Sequence, residues 1–303
     1  MVSKFLKNII GLLPLPILTF IVKNYVNLKE SNISLIPKDR RMIIDNEGIP
    51  FLKLGYIDGV YLGNQLSPLA VSQVAFVNFE DYLKNRNEKS KKFFINNANW
   101  LVKNVLKCNN HSILHYHYPW PKYHISKPWC SGMAQGQAIQ VMVKAHRITN
   151  NKKYLDTAKS LLNSFFVEVK NGGVTYKDSE DRWWYEEYAH KNGKSTRVLN
   201  GMIYALLGIY EYYTYTNDKD AKFLFEQGIR ALKNDLPNYD CASYSYYDIL
   251  KYPASKYHLI HIIQLKELFK ITNDAIFQKY HDKWKNFDYF KNLAIELFKR
   301  NKN

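Results

Sequence analysis

The stretch GMAQGQAIQVMVKAHRITNNKKYLDTAKSLLNSFFVE, residues 132–168, decides the fold. Apolar side chains recur at the i, i+3, i+4, i+7 spacing on both sides of Thr149-Asn150-Asn151, and this spacing marks one face of an α-helix. Because a tight turn of polar residues separates the two runs, the sequence predicts an antiparallel helical hairpin with helices at 132–148 and 152–168.

The same pattern recurs elsewhere in the chain. Further helices are predicted at 68–86, 93–106, 197–215, 219–234, 257–272 and 274–300. Strand alternation is sparse, so recurring hairpins in a domain of this size predict a mainly α fold, the α/α toroid, in which inner and outer helices alternate. A helical solenoid is the alternative. The long Tyr-rich connection from Pro237 to Lys256 disfavours it, because the connections are unequal in length.

The region before the helices has a different character. Short mixed segments between Asn24 and Asp58 predict loops and a few short strands. We therefore expect an N-terminal segment at 1–58 and an α/α-toroid catalytic domain at 59–303.

An apolar run at 9–22 lies within the N-terminal segment. Pro14 and Pro16 interrupt it, and it is shorter than the roughly 20 apolar residues that cross a bilayer. A membrane-surface anchor, a poor signal sequence and a strap packed on the core stay open, so we expect a cytoplasmic or membrane-associated protein.

The chain is strongly basic. It has 43 Lys and Arg against 27 Asp and Glu in 303 residues, a formal charge of +16 that favours polyanionic partners. Nucleic acid is the weakest candidate, because the charges are scattered and neither a zinc-ligand spacing nor an aromatic RNA-binding signature appears. An acidic polysaccharide and an acidic membrane surface remain, and a homodimer is not excluded.

Neither a disulfide framework nor a cofactor is indicated. Cys108, Cys130 and Cys241 are odd in number and lack paired spacing. No Gly-rich dinucleotide fingerprint follows a strand, which argues against a nicotinamide cofactor. His258 and His261 have a metal-ligand spacing but no third ligand nearby in sequence, so we expect no metal.

A second stretch of the sequence contains candidate residues for proton transfer. Trp183-Trp184-Tyr185-Glu186-Glu187-Tyr188 places two carboxylates among four aromatic rings, shortly before Asn200 on the first turn of a predicted helix. Burial beside aromatic rings disfavours the charged form of a carboxyl group and raises its pKa toward the range that suits proton transfer. The competing interpretation is a packed surface turn.

Four ordered blocks resemble the C-terminal domain of the D-glucuronyl C5-epimerase family, over roughly residues 60–290. These blocks are Pro128 to Ala138 (PWCSGMAQGQA), Trp183 to Gly201, Tyr239-Asp240 with Ser245-Tyr246-Tyr247-Asp248, and Tyr257 to Leu265 (YHLIHIIQL). The resemblance implies a cofactor-independent isomerase that inverts carbon 5 of D-glucuronate to L-iduronate within a glycan chain.

The resemblance also implies the site residues. Glu187 and Tyr257 would act from two facing walls, with Tyr188 and Tyr247 as further active-site tyrosines. The substrate-binding candidates are Gln135, Asn200, Arg197, His258 and His261. The last three are also candidates for the cationic neighbour that a tyrosine base requires, as is Lys256.

Some residues allow other interpretations, and the sequence departs from the family pattern at two places. Without the resemblance, Gln135 is an ordinary helix residue, and Tyr257 and His258 are packing residues. No arginine follows Tyr247-Asp248, and the loop after Tyr188 is more basic than the family pattern, with His190, Lys191 and Lys194. A uronate polysaccharide lyase and a non-catalytic polyanionic-glycan-binding protein are the competing functions.

Overall fold

The computed structural model describes residues 42–241 and 244–285, together with Pro16, Ile17 and Phe20. The described part of the chain divides into two compact units, the first within Ile36–Asp235 and the second within Leu236–Asn303. The sequence-predicted boundary between residues 58 and 59 lies in the turn of a β-hairpin within the first unit, and it stays a prediction.

The described residues form eight α-helices. They are α1 Pro68–Asn85, α2 Glu88–Asn104, α3 Gly132–Thr149, α4 Lys152–Asn163, α5 Leu199–Thr216, α6 Lys219–Asp235, α7 His258–Thr272 and α8 Ala275–Trp284. Each predicted helix is present within the described residues, and residues 286–300 of the helix predicted at 274–300 lie outside them. The prediction ran too long for α4, which gives way to a 3₁₀ turn at Ser164–Phe166. It began too late for α2, whose true N-cap, Asn87, accepts hydrogen bonds from Lys89 N and Ser90 N.

Three hairpins share one turn chemistry. The last residue of α3, α5 and α7 is a threonine, and the asparagine after it takes a left-handed conformation: Asn150 (φ 52°), Asn217 (φ 57°) and Asn273 (φ 54°). In each turn the threonine hydroxyl also accepts a hydrogen bond from the backbone N–H two residues later. An asparagine tolerates this conformation better than most residues do, so the Thr-Asn-Asx sequence ends one helix and starts the next.

The strands are short and antiparallel. They are β1 Met42–Ile44, β2 Pro50–Ile57, β3 Val60–Leu66, β4 Val105–Cys108, β5 His111–Tyr116, β6 Trp129–Cys130, β7 Thr175–Lys177, β8 Trp183–Tyr185, β9 Asp240–Cys241 and β10 Tyr244–Ser245. Sheet β1-β2-β3 confirms the short strands predicted before α1. The stretch beginning at Trp183 is a buried strand paired with β7, and the interpretation as a surface turn is wrong.

Glycines allow α3 and α5 to pack closely. A Cβ added at Gly136 would come within 2.7 Å of Ala205 Cα, and one added at Gly208 would overlap the Gly136 backbone. Close backbone approach requires residues without a side chain, so the small residues of MAQGQA serve helix packing. This contact fixes the start of α5, where Asn200 and Gly201 lie, relative to the start of α3.

No described helix is long and apolar enough to cross a membrane. The apolar run at 9–22 lies, apart from Pro16, Ile17 and Phe20, outside the described residues. Cys108, Cys130 and Cys241 are all free thiols, and burial raises the pKa of Cys130 to about 12, so this thiol stays protonated at neutral pH.

Candidate functional site

The two adjacent glutamates have different environments. Glu186 is 2% exposed, and its carboxylate accepts hydrogen bonds from the Ser195 hydroxyl, from Thr196 Oγ1 at 3.2 Å and from Arg197 N at 3.1 Å. Burial raises the pKa of Glu186, while these donors act in the opposite direction. Glu186 therefore holds the 195–197 loop in place.

Glu187 lies against the first turn of α5. Its side chain is 8% exposed, and a Cβ built on Gly201 would lie 2.7 Å from Glu187 Cβ and would overlap Oε2. Only glycine leaves room for the carboxyl group at this position. Asn200, the preceding residue on the same turn, is 1% exposed.

An aromatic cluster surrounds Tyr188. Its ring centroid lies 5.8 Å from that of Trp120, 4.9 Å from Tyr123 and 5.5 Å from Trp129. Trp129 in turn stacks on Tyr116 at 3.9 Å. Burial raises the pKa of Tyr116 well above its usual range, and the charges of Tyr118 and Glu187 act in the same direction.

Trp120 and Tyr123 were not predicted as site residues. Both follow β5, and Tyr116, Tyr118 and Trp120 alternate at the two-residue period of a strand. That period was the available signal, because β5 ends at Tyr116 and the same alternation carries on toward Trp120.

Tyr247 and Tyr257 are brought together in the second unit. Their ring centroids are 4.9 Å apart with planes tilted by 40°, and Tyr247 is 5% exposed. Tyr247 follows β10, and Tyr257 immediately precedes α7. The two tyrosines therefore depend on the same contact between β10 and α7.

Two buried histidines make that contact. His258 Nδ1 accepts a hydrogen bond from Ser245 N at 2.9 Å, and the Ser245 hydroxyl bridges His258 Nδ1 at 2.8 Å and His261 Nδ1 at 2.7 Å. His258 Nε2 donates to Trp284 O at 3.2 Å, since Nδ1 serves as the acceptor. These bonds tie Ser245 to α7 and favour a structural role for both rings.

The histidines do not supply the cation expected beside a tyrosine base. Burial lowers the pKa of His258 to about 4 and that of His261 well below its usual range, so both rings are neutral at neutral pH. That part of the prediction is wrong, because sequence proximity gave no information on burial. Among the described residues no cluster of three or more metal-ligating side chains occurs, and the pair has no third ligand there.

Gln135 and Arg197 also have partners within the protein. The amide of Gln135 is fully buried, accepts from Leu114 N at 2.9 Å and donates to Ser112 O and Ser164 Oγ, so it joins α3 to β5. Arg197 Nη1 forms a 2.7 Å ion pair with Asp235 Oδ2. Substrate contact by either side chain stays a prediction, and the geometry favours a structural role for Gln135.

Glu187, Tyr188 and Asn200 are thus held together in the first unit, and Tyr247 and Tyr257 in the second. The arrangement of Glu187 and Tyr257 on facing walls stays a prediction.

The sequence of this chain is similar to those of known proteins. Residues 109–286 match the sequence family described as D-glucuronyl C5-epimerase C-terminus, a range that contains all four blocks. The chain is 30% identical over 261 residues to an uncharacterized protein of Methanocaldococcus jannaschii, covering 80% of this chain and 84% of that protein. It is 32% identical over 227 residues to the D-glucuronyl C5-epimerase of Caenorhabditis elegans, covering 68% of this chain but only 36% of the worm protein.

A solved structure is similar in fold. The cellobiose 2-epimerase of Bacillus thermoamylovorans superposes with a TM-score of 0.55 at 14% sequence identity, over 85% of this chain and 70% of that one. At this identity the likeness shows the fold alone, which is the mainly α, α/α-toroid class predicted from the helical hairpins. With more than half of the chain matched, the protein belongs to the D-glucuronyl C5-epimerase C-terminus family.

Proposed function

We propose that the protein is a polysaccharide uronate epimerase that inverts carbon 5 of D-glucuronate to L-iduronate within a glycan chain. Family membership supports a carbohydrate epimerase, and the identity of the sugar is our proposal. The observation that supports the proposal is that the two adjacent glutamates have different environments. Glu186 is occupied in holding the 195–197 loop, whereas Glu187 is seated beside Tyr188 and Asn200 in a space that Gly201 leaves open.

The chemistry requires a base and an acid. The hydrogen on carbon 5 is next to the sugar carboxylate, so its removal breaks the C5–H bond and leaves the electron pair in an enediolate. We assign Glu187 as the base that takes this proton. Since His258 and His261 are neutral at neutral pH, they do not favour a tyrosinate, and we assign Tyr257 as the acid that donates its phenolic proton to carbon 5 from the opposite face.

The enediolate needs hydrogen-bond donors while it exists. The Asn200 amide and the phenols of Tyr188 and Tyr247 are the donor groups that we assign to the sugar carboxylate and ring hydroxyls. The proton balance closes when protonated Glu187 releases its proton to solvent and the Tyr257 phenolate takes one up. The residues assigned here carry out each step of the cycle.

Incubation with a glucuronate polymer in deuterated water tests the proposal. The unmutated protein should introduce deuterium at carbon 5 and form iduronate, and Glu187→Gln should lose exchange from glucuronate by about 100-fold or more, as loss of a general base does. Glu211→Gln is the matched control, because Glu211, on α5, pairs with Lys144 and Gln140 of α3. Absence of exchange on every uronate polymer tested would refute the proposal, and formation of an unsaturated, ultraviolet-absorbing product would assign the protein as a lyase instead.

A further inference from the structure

A cationic cavity lies next to the aromatic cluster. It has a volume of about 360 Å³, and its lining includes Lys127, Lys191, His115 and His190. No aspartate or glutamate lines it. Within the part of the chain that the structure describes, neither Lys127 nor Lys191 lies within ion-pair distance of a carboxylate.

A neighbouring pocket shows what makes this cavity different. The second pocket, of about 270 Å³, is lined by Glu168 and Glu186 as well as by lysines. Lys170 lies 3.1 Å from Glu168 and Lys177 lies 3.3 Å from Asp181, while Lys191 lines both pockets. The larger cavity therefore differs in its lining, where no carboxylate offsets the charge of its two lysines.

Hydrogen bonds hold the cavity walls in place. Cys130 N donates to Ala189 O at 3.0 Å and Ala189 N donates to Cys130 O at 2.9 Å, which joins the two segments that form the walls. Asn192 N donates to His190 Nδ1 at 3.4 Å, so His190 Nε2 carries the proton and donates to Ser126 Oγ at 3.1 Å. A preformed cavity binds a ligand without first paying the entropy of ordering its loops.

The side chains that line the cavity favour an anionic ligand. Two ammonium groups and the N–H donors of imidazole rings suit carboxylate or sulfate oxygens. Trp129 lines the cavity, and its ring centroid lies 5.5 Å from that of Tyr188, so the cavity borders the aromatic cluster around Tyr188.

We propose that this cavity binds a carboxylate or sulfate group on a sugar unit of the same glycan, flanking the unit that is epimerised; the flanking assignment rests on the proposed function. The basic loop after Tyr188 supplies His190, Lys191 and Asn192 to the cavity wall. The cavity thereby selects longer acidic chains over short ones.

Binding of a glucuronate-containing disaccharide and octasaccharide, measured by calorimetry at fixed salt, tests the assignment. The variant Lys127→Gln/Lys191→Gln should bind the octasaccharide about tenfold more weakly, the loss expected when hydrogen bonds to a charged group are removed, and should bind the disaccharide as before. The control Lys84→Gln/Lys107→Gln removes the same charge from two exposed lysines that do not line the cavity, and should bind both ligands normally.

Two outcomes overturn the proposal. Equal weakening by the cavity and control variants would mean that the overall charge of the protein, rather than the cavity, attracts the glycan. If inorganic sulfate binds as tightly as the octasaccharide and the cavity variant loses both, the cavity is a site for a free anion. Because calorimetry reports binding whether or not exchange at carbon 5 occurs, a protein that binds through the cavity but exchanges no deuterium would refute the proposed function and leave the cavity assignment standing.

Discussion

At the scale of single residues, the site depends on glycines whose missing side chains leave room for neighbouring groups. Gly201 has no side chain, and the Glu187 carboxyl group occupies the space that one would fill. Gly136 and Gly208 serve the α3–α5 crossing in the same way. A glycine within a helix destabilises it by about 1 kcal/mol relative to alanine, so these positions keep glycine for a steric reason.

Gly201→Ala should therefore impair catalysis by displacing Glu187. We expect the rate of deuterium exchange to fall by about 100-fold, since a shift of roughly 1 Å in a reacting group has effects of this size. Urea denaturation should show the clash as a lower free energy of unfolding despite the better helix propensity of alanine. In a Glu187→Ala background the same substitution should cost less, because the overlapping carboxyl group is gone. An unchanged exchange rate in Gly201→Ala would show that Glu187 is not held by this contact.

At the scale of helices and strands, the sequence was informative wherever one local rule determined the structure. The 3.6-residue period located all eight described helices, and the Thr-Asn-Asx turns marked three of their hairpins. The period does not report which polar residues on a helix are buried. Substrate binding by Gln135 and His261 came from the resemblance alone and stays a prediction, while β5 and β10 supply the partners that their side chains have in the fold.

The contact between β10 and α7 should make stability depend on pH. The pKa of His258 is about 4 in the folded protein against an ordinary value of 6.5, so between pH 6.5 and 4 the unfolded chain binds a proton that the folded chain does not. The free energy of unfolding therefore decreases as the pH falls through this window, and His258 alone accounts for a decrease of about 3 kcal/mol. His261 acts in the same direction, and Glu186, whose pKa is raised, acts in the opposite one.

Urea denaturation at pH 7 and pH 5 measures this effect. The unmutated protein should lose more stability on acidification than His258→Asn, whose side-chain oxygen can accept the hydrogen bond from Ser245 N without titrating. Comparing the two proteins removes the contributions of other groups that titrate between these pH values. Equal losses in both would show that protonation of His258 does not oppose folding.

At the scale of the whole molecule, the residues assigned to the two proton transfers belong to different compact units. Glu187 lies in Ile36–Asp235, and Tyr257 lies in the unit that contains Leu236–Asn303. Only the family resemblance identified both residues in the sequence. Periodicity and spacing describe neighbouring residues and give no information on a functional pair separated by about seventy positions. A substitution at either residue leaves the other side chain in place, so the two half-reactions can be tested independently.

Tyr257→Phe should separate exchange from inversion. Glu187 can still remove the carbon 5 proton in this variant, exchange it with deuterated solvent and return deuterium to the same face, so glucuronate should become labelled without inversion. Formation of iduronate should fall by about 100-fold or more, the usual contribution of a general acid. Nuclear magnetic resonance of the polymer distinguishes labelled glucuronate from labelled iduronate, and Tyr210→Phe, on α5 beside Phe225, serves as the folded control. Parallel loss of label and inversion in Tyr257→Phe, with the fold intact, would contradict the assignment of Glu187 as the base that acts on glucuronate.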